Sequence, residues 1–265
     1  MQLFYREGRR SVVNRAGEVL YKKAEELFSV AEELQTAMEN LKGTSVGRMT
    51  LGASFDWQYR LPRLLEMFKQ KFPGIEVLLE IANSERIEKL VFDRSIDMGF
   101  ITRASSRPEL ESHYLDCDDL VPICSSRHDL AKKTGIKAHK LMDEVFIVRE
   151  VGSAARAITE GLLAARDLDK NISMELGSYE TIKGAVLEGK GIGMVSRQSL
   201  GSDLRSGSIV TLDAPDLKGY MELYLIHHSQ KKMTTTHKAF MAMIDSVYTR
   251  EDTHEEVPLI SRQPA

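Results

Sequence analysis

Residues 48–102 read RMTLGASFDWQYRLPRLLEMFKQKFPGIEVLLEIANSERIEKLVFDRSIDMGFIT, and three apolar runs there alternate with two helical patterns. Arg48–Ala53 is the first expected strand. Leu61, Leu64, Leu65, Phe68 and Phe72 then recur at helical spacing over 61–72. Pro62 falls in the first turn of that helix, where no amide hydrogen is needed. Pro73-Gly74 turns the chain, and IEVLLEI over 75–81 is a second strand. Residues 84–94 are a second helix and 96–102 a third strand. A β-α-β-α-β order predicts a parallel sheet, because parallel neighbours need a crossover between them.

The same order returns downstream. Strands are expected at 120–125, 145–149, 172–176 and 192–195, with helices at 153–166 and 179–187. A late strand at 220–227 and an amphipathic helix at 238–248 follow. Residues 249–265 are polar, hold two prolines and lack periodicity, so a disordered tail is expected there.

Upstream of the first unit lies a long helical pattern. Asn14 suits an N-cap. Leu20, Ala24, Leu27, Ala31, Leu34, Met38 and Leu41 recur at alternating spacings of four and three, which is a heptad seam. Its charged flank predicts a dimerising helix over 14–43, ending near Gly43. Residues 1–23 carry a net charge of +4 inside a chain of net −3, so a basic head precedes an acidic body. On charge alone such a head is more often a solvated face with a few arginines; the other reading is a polyanion contact at the amino-terminal end.

Composition bounds the class. A chain of 265 residues favours two domains. A hydrophobic share of 42% and a charged share of 28% are those of an ordinary globular protein. No apolar run approaches the roughly 18 residues of a membrane span, and Met1–Arg10 has no apolar core of a signal peptide, so a cytoplasmic location is the default. Cys117 and Cys124 match neither a disulfide framework nor a zinc pattern.

Open α/β sheets bind ligands beyond the carboxyl ends of their strands, and two such units make a cleft. The residues just after the expected strands are therefore the candidates for ligand binding. These are Ser54 and Phe55, Ser84, Thr102 and Arg103 in the first unit, and Glu150, Ser153 and Arg156 in the second. Gly152 permits close backbone approach, and Ser153 is expected to cap a helix whose positive end favours a small anion. Any one of these hydroxyls is also what a plain helix cap requires.

Catalytic signatures fail. Residues 184–190 imitate a phosphate loop, but Gly191 stands where Ser or Thr must hold the metal, and the stretch precedes a strand instead of following one. Seven histidines give neither H-E-x-x-H nor a cluster with cysteine, and His227 and His228 alternate across a strand. No metal, no cofactor and no enzymatic activity are expected. Trp57 is expected to be a packing residue.

The stretch Leu3-Phe4-Tyr5-Arg6 through Arg9-Arg10-Ser11-Val12-Val13-Asn14-Arg15-Ala16-Gly17-Glu18 resembles that of the LysR-type transcriptional regulators, at the end of their wing and the start of their linker helix. Asn14 stands where that family usually has Thr. Leu61-Pro62, Phe72-Pro73, residues 96–100 and residues 188–194 are similar to the family's effector-domain landmarks, in the same order. The resemblance covers about residues 3–248. REVGSAAR over 149–156 and ELGSYETIKGAV over 175–186 look most like regulators of carbon fixation or sulfur assimilation.

The resemblance implies a wing remnant at 1–13, the linker helix at 14–43, and a two-subdomain effector module of the type 2 periplasmic-binding-protein kind. Subdomain I is expected at 46–119 with 220–248, and subdomain II at 120–219. It also implies a homodimer or homotetramer, a small and typically anionic effector in the cleft, and DNA as partner of the full-length form. Arg6, Arg9 and Arg10 would then touch DNA phosphates, which gives affinity without sequence choice. The family's recognition helix precedes the wing, where this sequence begins, so the chain as written is expected to bind operator DNA poorly. The alternatives are a solute-binding protein of similar architecture, a fragment acting through dimerisation, and an enzyme on the same scaffold.

Overall fold

The computed structural model describes residues 2–8, 10–41 and 47–251. A hairpin of β1 (Phe4–Glu7) and β2 (Arg10–Val13) leads into α1 (Arg15–Leu41). Asn14 caps that helix as expected: its Oδ1 accepts from the Gly17 amide at 3.0 Å. The expected stop at 42–45 lies outside the described residues.

The body alternates strands and helices. β3 (Gly47–Ser54), α2 (Leu61–Lys71), β4 (Ile75–Ala82), α3 (Ser84–Phe92) and β5 (Met98–Ile101) form the first unit, followed by the long strand β6 (Leu110–Ser125). β7 (Phe146–Arg149), α4 (Ala154–Ala164), β8 (Ile172–Leu176), α5 (Tyr179–Leu187) and β9 (Ile192–Ser196) form the second, followed by α6 (Gly201–Ser206) and β10 (Ile209–Thr211). β11 (Gly219–His228) and α7 (Thr235–Glu251) close the chain's described part.

The body strands make one nine-stranded sheet in the order β4-β3-β5-β11-β6-β9-β7-β8, with β10 beside β6. Each end of the sheet is parallel, and β6 and β11 form an antiparallel ribbon between them. Leu223 pairs with Asp116 but Tyr224 pairs with Tyr114, so β6 holds one extra residue at Leu115. A bulge of this kind bends a strand and raises its twist. The expected boundary at 119/120 falls inside β6, and that at 219/220 falls at the start of β11.

Apolar faces explain the layers. Leu61, Leu64 and Phe68 of α2 pack with Leu223, Leu225 and Phe240 on one face of the first half, while Ile87 and Val91 of α3 pack with Ile226 on the other. Tyr179, Ile182 and Val186 of α5 cover the second half from one side. Trp57 is fully buried, and its Nε1 donates to the Ile101 carbonyl at 3.1 Å, so it is a packing residue that also anchors a turn.

Several expected boundaries are corrected. β6 begins at Leu110, not 120, because its first ten residues alternate charged with apolar groups and are held by pairing to β11. β5 is shorter than 96–102. α3 stops at Phe92, since Asp93 caps it and Arg94 adopts a left-handed φ of 56°. α4 ends at Ala164, shortly before the left-handed Asp167. α7 runs to Glu251, so residues 249–251 are helix and not tail, and 252–265 lie outside the described residues. β10 and α6 were not expected from periodicity, being only three and six residues long.

Candidate ligand site

The two halves face each other across the carboxyl ends of β3, β4 and β5 on one side and β7 on the other. The loop after β3 makes a single turn over Phe55–Trp57, which carries Asp56 into the interior. The Asp56 carboxylate gathers groups from both halves. Thr102 Oγ1 donates to its Oδ2 at 2.7 Å, and Ser54 Oγ lies 3.2 Å from the same oxygen. Tyr179, at the start of α5, donates its hydroxyl to Oδ1 at 2.5 Å. Arg149 at the end of β7 places Nη1 3.7 Å from Oδ1.

This cluster is buried throughout, with Arg149 only 2% exposed. Its guanidinium binds Glu150 through two nitrogens, at 2.8 and 3.0 Å, and faces the rings of Phe55 and Tyr179. Burial and the adjacent Asp56 charge push the Tyr179 hydroxyl well above its ordinary value, so it stays a donor. Asp56 is the residue that sequence reading missed. Its only signal was a place two residues beyond Ser54 in the same βα loop.

Above the cluster lies a cleft of about 270 Å³, a little below the roughly 300 Å³ at which drug-sized sites begin. Glu85, Thr102 and Arg103 line one wall, and Gly152, Ser153 and Arg156 belong to the other. Ser153 caps α4 with its backbone, but its side chain makes no capping bond. Its hydroxyl is buried and has no hydrogen-bond partner in the protein. The Ser84 hydroxyl is buried and unpartnered in the same way, because Asn83 takes the capping role for α3 by accepting from the Arg86 amide. Arg156 Nη1 is held by the Arg149 carbonyl at 2.8 Å and by Glu175 at 2.9 Å. Arg103 reaches into solvent, 4.0 Å from Glu88.

The rim is closed by contacts between the halves. The Glu85 amide donates to the Gly152 carbonyl at 3.4 Å, and Tyr59 donates to Glu180 at 2.8 Å. Gly152 has φ +88°, and a Cβ there would come within 2.9 Å of Asn83 Nδ2, so the close approach needs glycine. Of the eight candidate residues, Thr102, Arg103, Ser153 and Arg156 line the cleft. Ser84 stands next to Glu85 of its wall. Ser54 belongs to the buried cluster beneath, and the half-buried Phe55 and Glu150 flank its Arg149.

The amino-terminal candidates sit elsewhere. Arg6 is exposed on β1, Arg10 lies on β2 opposite Glu7, and Arg9 lies outside the described residues. On α1, Leu20 is 50% and Leu27 66% exposed; Ala31 is also exposed and Ala24 partly so. Leu34, Met38 and Leu41 lie on the same helix, but their side chains are outside the described residues. Val19, Tyr21, Phe28 and Val30 are exposed as well, so the apolar surface is wider than the heptad seam. Among the described residues, no helix is long and apolar enough to cross a membrane.

Residues 42–248 match the LysR substrate binding domain. The chain is 30% identical over 240 residues to the transcriptional activator CmpR of Synechocystis, covering 90% of this chain and 79% of that protein. It is 27% identical over 250 residues to the RuBisCO operon transcriptional regulator of Allochromatium vinosum, covering 94% and 83%. That relative lies on the carbon-fixation side of the expected resemblance. The regulatory domain of Synechocystis CcmR, solved in complex with 2-PG, superposes with a TM-score of 0.72 at 30% identity, over 77% of this chain and 99% of that one. The chain therefore belongs to the LysR-type transcriptional regulators, a family that is not enzymatic, and it carries their effector-binding domain on a type 2 periplasmic-binding-protein-like fold.

Proposed function

We propose that this chain senses a small anionic metabolite in the cleft between its two halves and acts as an effector-responsive regulator. The observation that carries this reading is the pair of unpartnered hydroxyls at Ser84 and Ser153. A buried hydroxyl without a partner costs about 1–3 kcal/mol, and an anion seated against it relieves that cost. Ser153 also opens the eleven-residue helix α4, whose free amides and dipole favour negative charge. Arg103 is the exposed cation at the mouth. Because a relative at 30% identity holds 2-PG, that compound is the first ligand to test.

In this reading α1 joins copies of the chain through its exposed apolar surface, as a homodimer or homotetramer, and Arg6, Arg9 and Arg10 meet DNA phosphates. Subdomain I is 46–119 with 220–248, and subdomain II is 120–219. The effector changes the balance between arrangements of the two halves, a hinge-type population shift passed on to α1.

Calorimetric titration of 2-PG, sulfate, dicarboxylates and phosphosugars tests the site, with wild type beside Ser84→Ala/Ser153→Ala. A hydrogen bond to a charged group is worth about 1.5–3 kcal/mol, so the double variant is expected to bind at least tenfold more weakly. Without ligand its melting temperature should rise, since each substitution removes a buried hydroxyl that has no partner. Equal affinity in wild type and variant removes the assignment of these residues.

A further inference from the structure

A second cluster lies at the opposite pole of the first half. His227 on β11 pairs with Met98, the first residue of β5, so it sits at the amino ends of the parallel strands. The cleft lies at their carboxyl ends. Across the ribbon, His227 stands opposite Glu111 of β6, and His113 follows two residues on from Glu111, on the same face. The three side chains converge: their ligand atoms all lie within 4.8 Å of one another.

Nε2 of His113 lies 3.0 Å from Nε2 of His227, and Glu111 Oε2 lies 3.6 Å from the latter. Two nitrogens on one metal ion at about 2.1 Å are separated by roughly 3.0–3.4 Å for ligand angles between 90° and 109°. The observed spacing meets the lower end of that range. His227 Nδ1 stands 3.3 Å from the His228 carbonyl, a contact that only a protonated Nδ1 can make. In a neutral ring that tautomer leaves the lone pair on Nε2, the arrangement typical of a metal-ligating histidine. The His227 side chain is 9% exposed and that of Glu111 54%, so the cluster is walled by protein yet open on the carboxylate side.

We propose that Glu111, His113 and His227 form a binding site for a divalent transition-metal ion of the Zn²⁺, Ni²⁺ and Co²⁺ class. Imidazole nitrogens select these ions over Mg²⁺ and Ca²⁺, which take oxygen ligands. Three protein ligands leave at least one coordination position for water or a further donor. The site is independent of the cleft, since no residue is shared.

The untagged chain of 265 residues, stripped with a chelator, is titrated with Zn²⁺ in a calorimeter and with Co²⁺ in a spectrophotometer. The expected result is one equivalent bound with a micromolar or tighter Kd, and Co²⁺ bands of a nitrogen-ligated ion. His113→Ala and Glu111→Gln each remove one ligand at a partly exposed position, and each is expected to weaken binding at least tenfold. His227→Asn is a third variant, read only if circular dichroism shows a native fold. Two outcomes overturn the proposal: wild type that takes up no stoichiometric metal, or His113→Ala and Glu111→Gln that bind as wild type does. In either case the 3.0 Å contact is a plain histidine–histidine hydrogen bond.

Discussion

Asp56→Asn is the most informative single change in the cleft. Thr102 owns one O–H, and that hydrogen is committed to Asp56 Oδ2 at 2.7 Å. An anion seated against Thr102 needs the same hydrogen. It also feels the Asp56 charge: with two bonds of about 2.7–3 Å meeting at the Thr102 hydroxyl, the charge centres behind the bonded oxygens lie about 6 Å apart. Two unit charges at 6 Å in an effective dielectric of about 20 repel by about 2.8 kcal/mol. That corresponds to a factor of about 100 in affinity as an upper bound, which the Arg149 charge 3.7 Å from Asp56 and solvent screening reduce. Asparagine keeps an oxygen for Tyr179 and offers Thr102 an N–H, which turns the threonine hydroxyl free to donate outward. The variant is therefore expected to bind 2-PG or another small anion 10- to 100-fold more tightly. It should also be less stable by about 1–3 kcal/mol, because Arg149 loses a nearby countercharge and the hydroxyl network is rearranged. Calorimetry gives the first quantity and thermal denaturation the second. Unchanged or weakened anion affinity in a natively folded variant would refute the view that Asp56 competes with the effector.

Two further changes test other parts of the molecule. Asp118 of β6 is buried beside Ser196, and burial pushes its carboxyl from 3.8 up to about 6, against the opposing effects of the Ser196 bond and the Arg60 charge. A raised carboxyl favours the folded state below about pH 3.8, and that contribution is lost as pH climbs through 6, leaving a cost of about 3 kcal/mol above pH 7. Asp118→Asn should therefore melt several degrees above wild type at pH 8, with the gap closing near pH 4; a variant less stable by the same amount at both pH values contradicts this. On α1, Leu27→Glu puts a charge on a side chain that is 66% exposed in the single chain. Burying leucine is worth about 1.5–3 kcal/mol per copy, so the variant should raise the dissociation constant of the assembly by 100-fold or more in analytical ultracentrifugation. An unchanged association state would show that α1 does not join the copies.

The α/β order was legible because strands such as β5 and β7 are short, mostly apolar runs and helices such as α2 carry a clean stripe. The first ten residues of β6 were not, since LESHYLDCDD mixes charge with apolar groups and owes its extended form to pairing with β11, more than a hundred residues away. The cleft walls were legible in part, because they follow from where parallel strands end. Thr102 and Ser153 were placed on that ground alone. The orientation of the hydroxyls was not legible: whether Ser84 caps a helix depends on its neighbour Asn83, which performs that role instead. Asp56 escaped because a lone aspartate after a strand has no pattern, and its meaning comes from Tyr179 and Arg149 in the other half. His113 and His227 escaped for the same reason, being 114 residues apart in sequence and 3.0 Å apart in space.

The placement of these groups constrains how a signal can travel. The two halves share the ribbon of β6 and β11, whose paired residues on both sides of the bulge at Leu115 resist sliding. What can change is the set of ties across the cleft: the side-chain bonds of Tyr179 to Asp56, Tyr59 to Glu180 and Asn83 to the Val151 carbonyl, and the backbone bond of Glu85 to Gly152. Each spans the two halves, and two of them end on carboxylates. On the proposed reading, an anion in the cleft acts on the first tie through Asp56, by repelling its carboxylate and competing for its Thr102 donor. Loss of that tie frees Tyr179 and with it the amino-terminal end of α5, while the ribbon keeps its register. The expected motion is thus a rotation about the bulge and not a separation of the halves, and its amplitude is set by how many of the remaining ties survive.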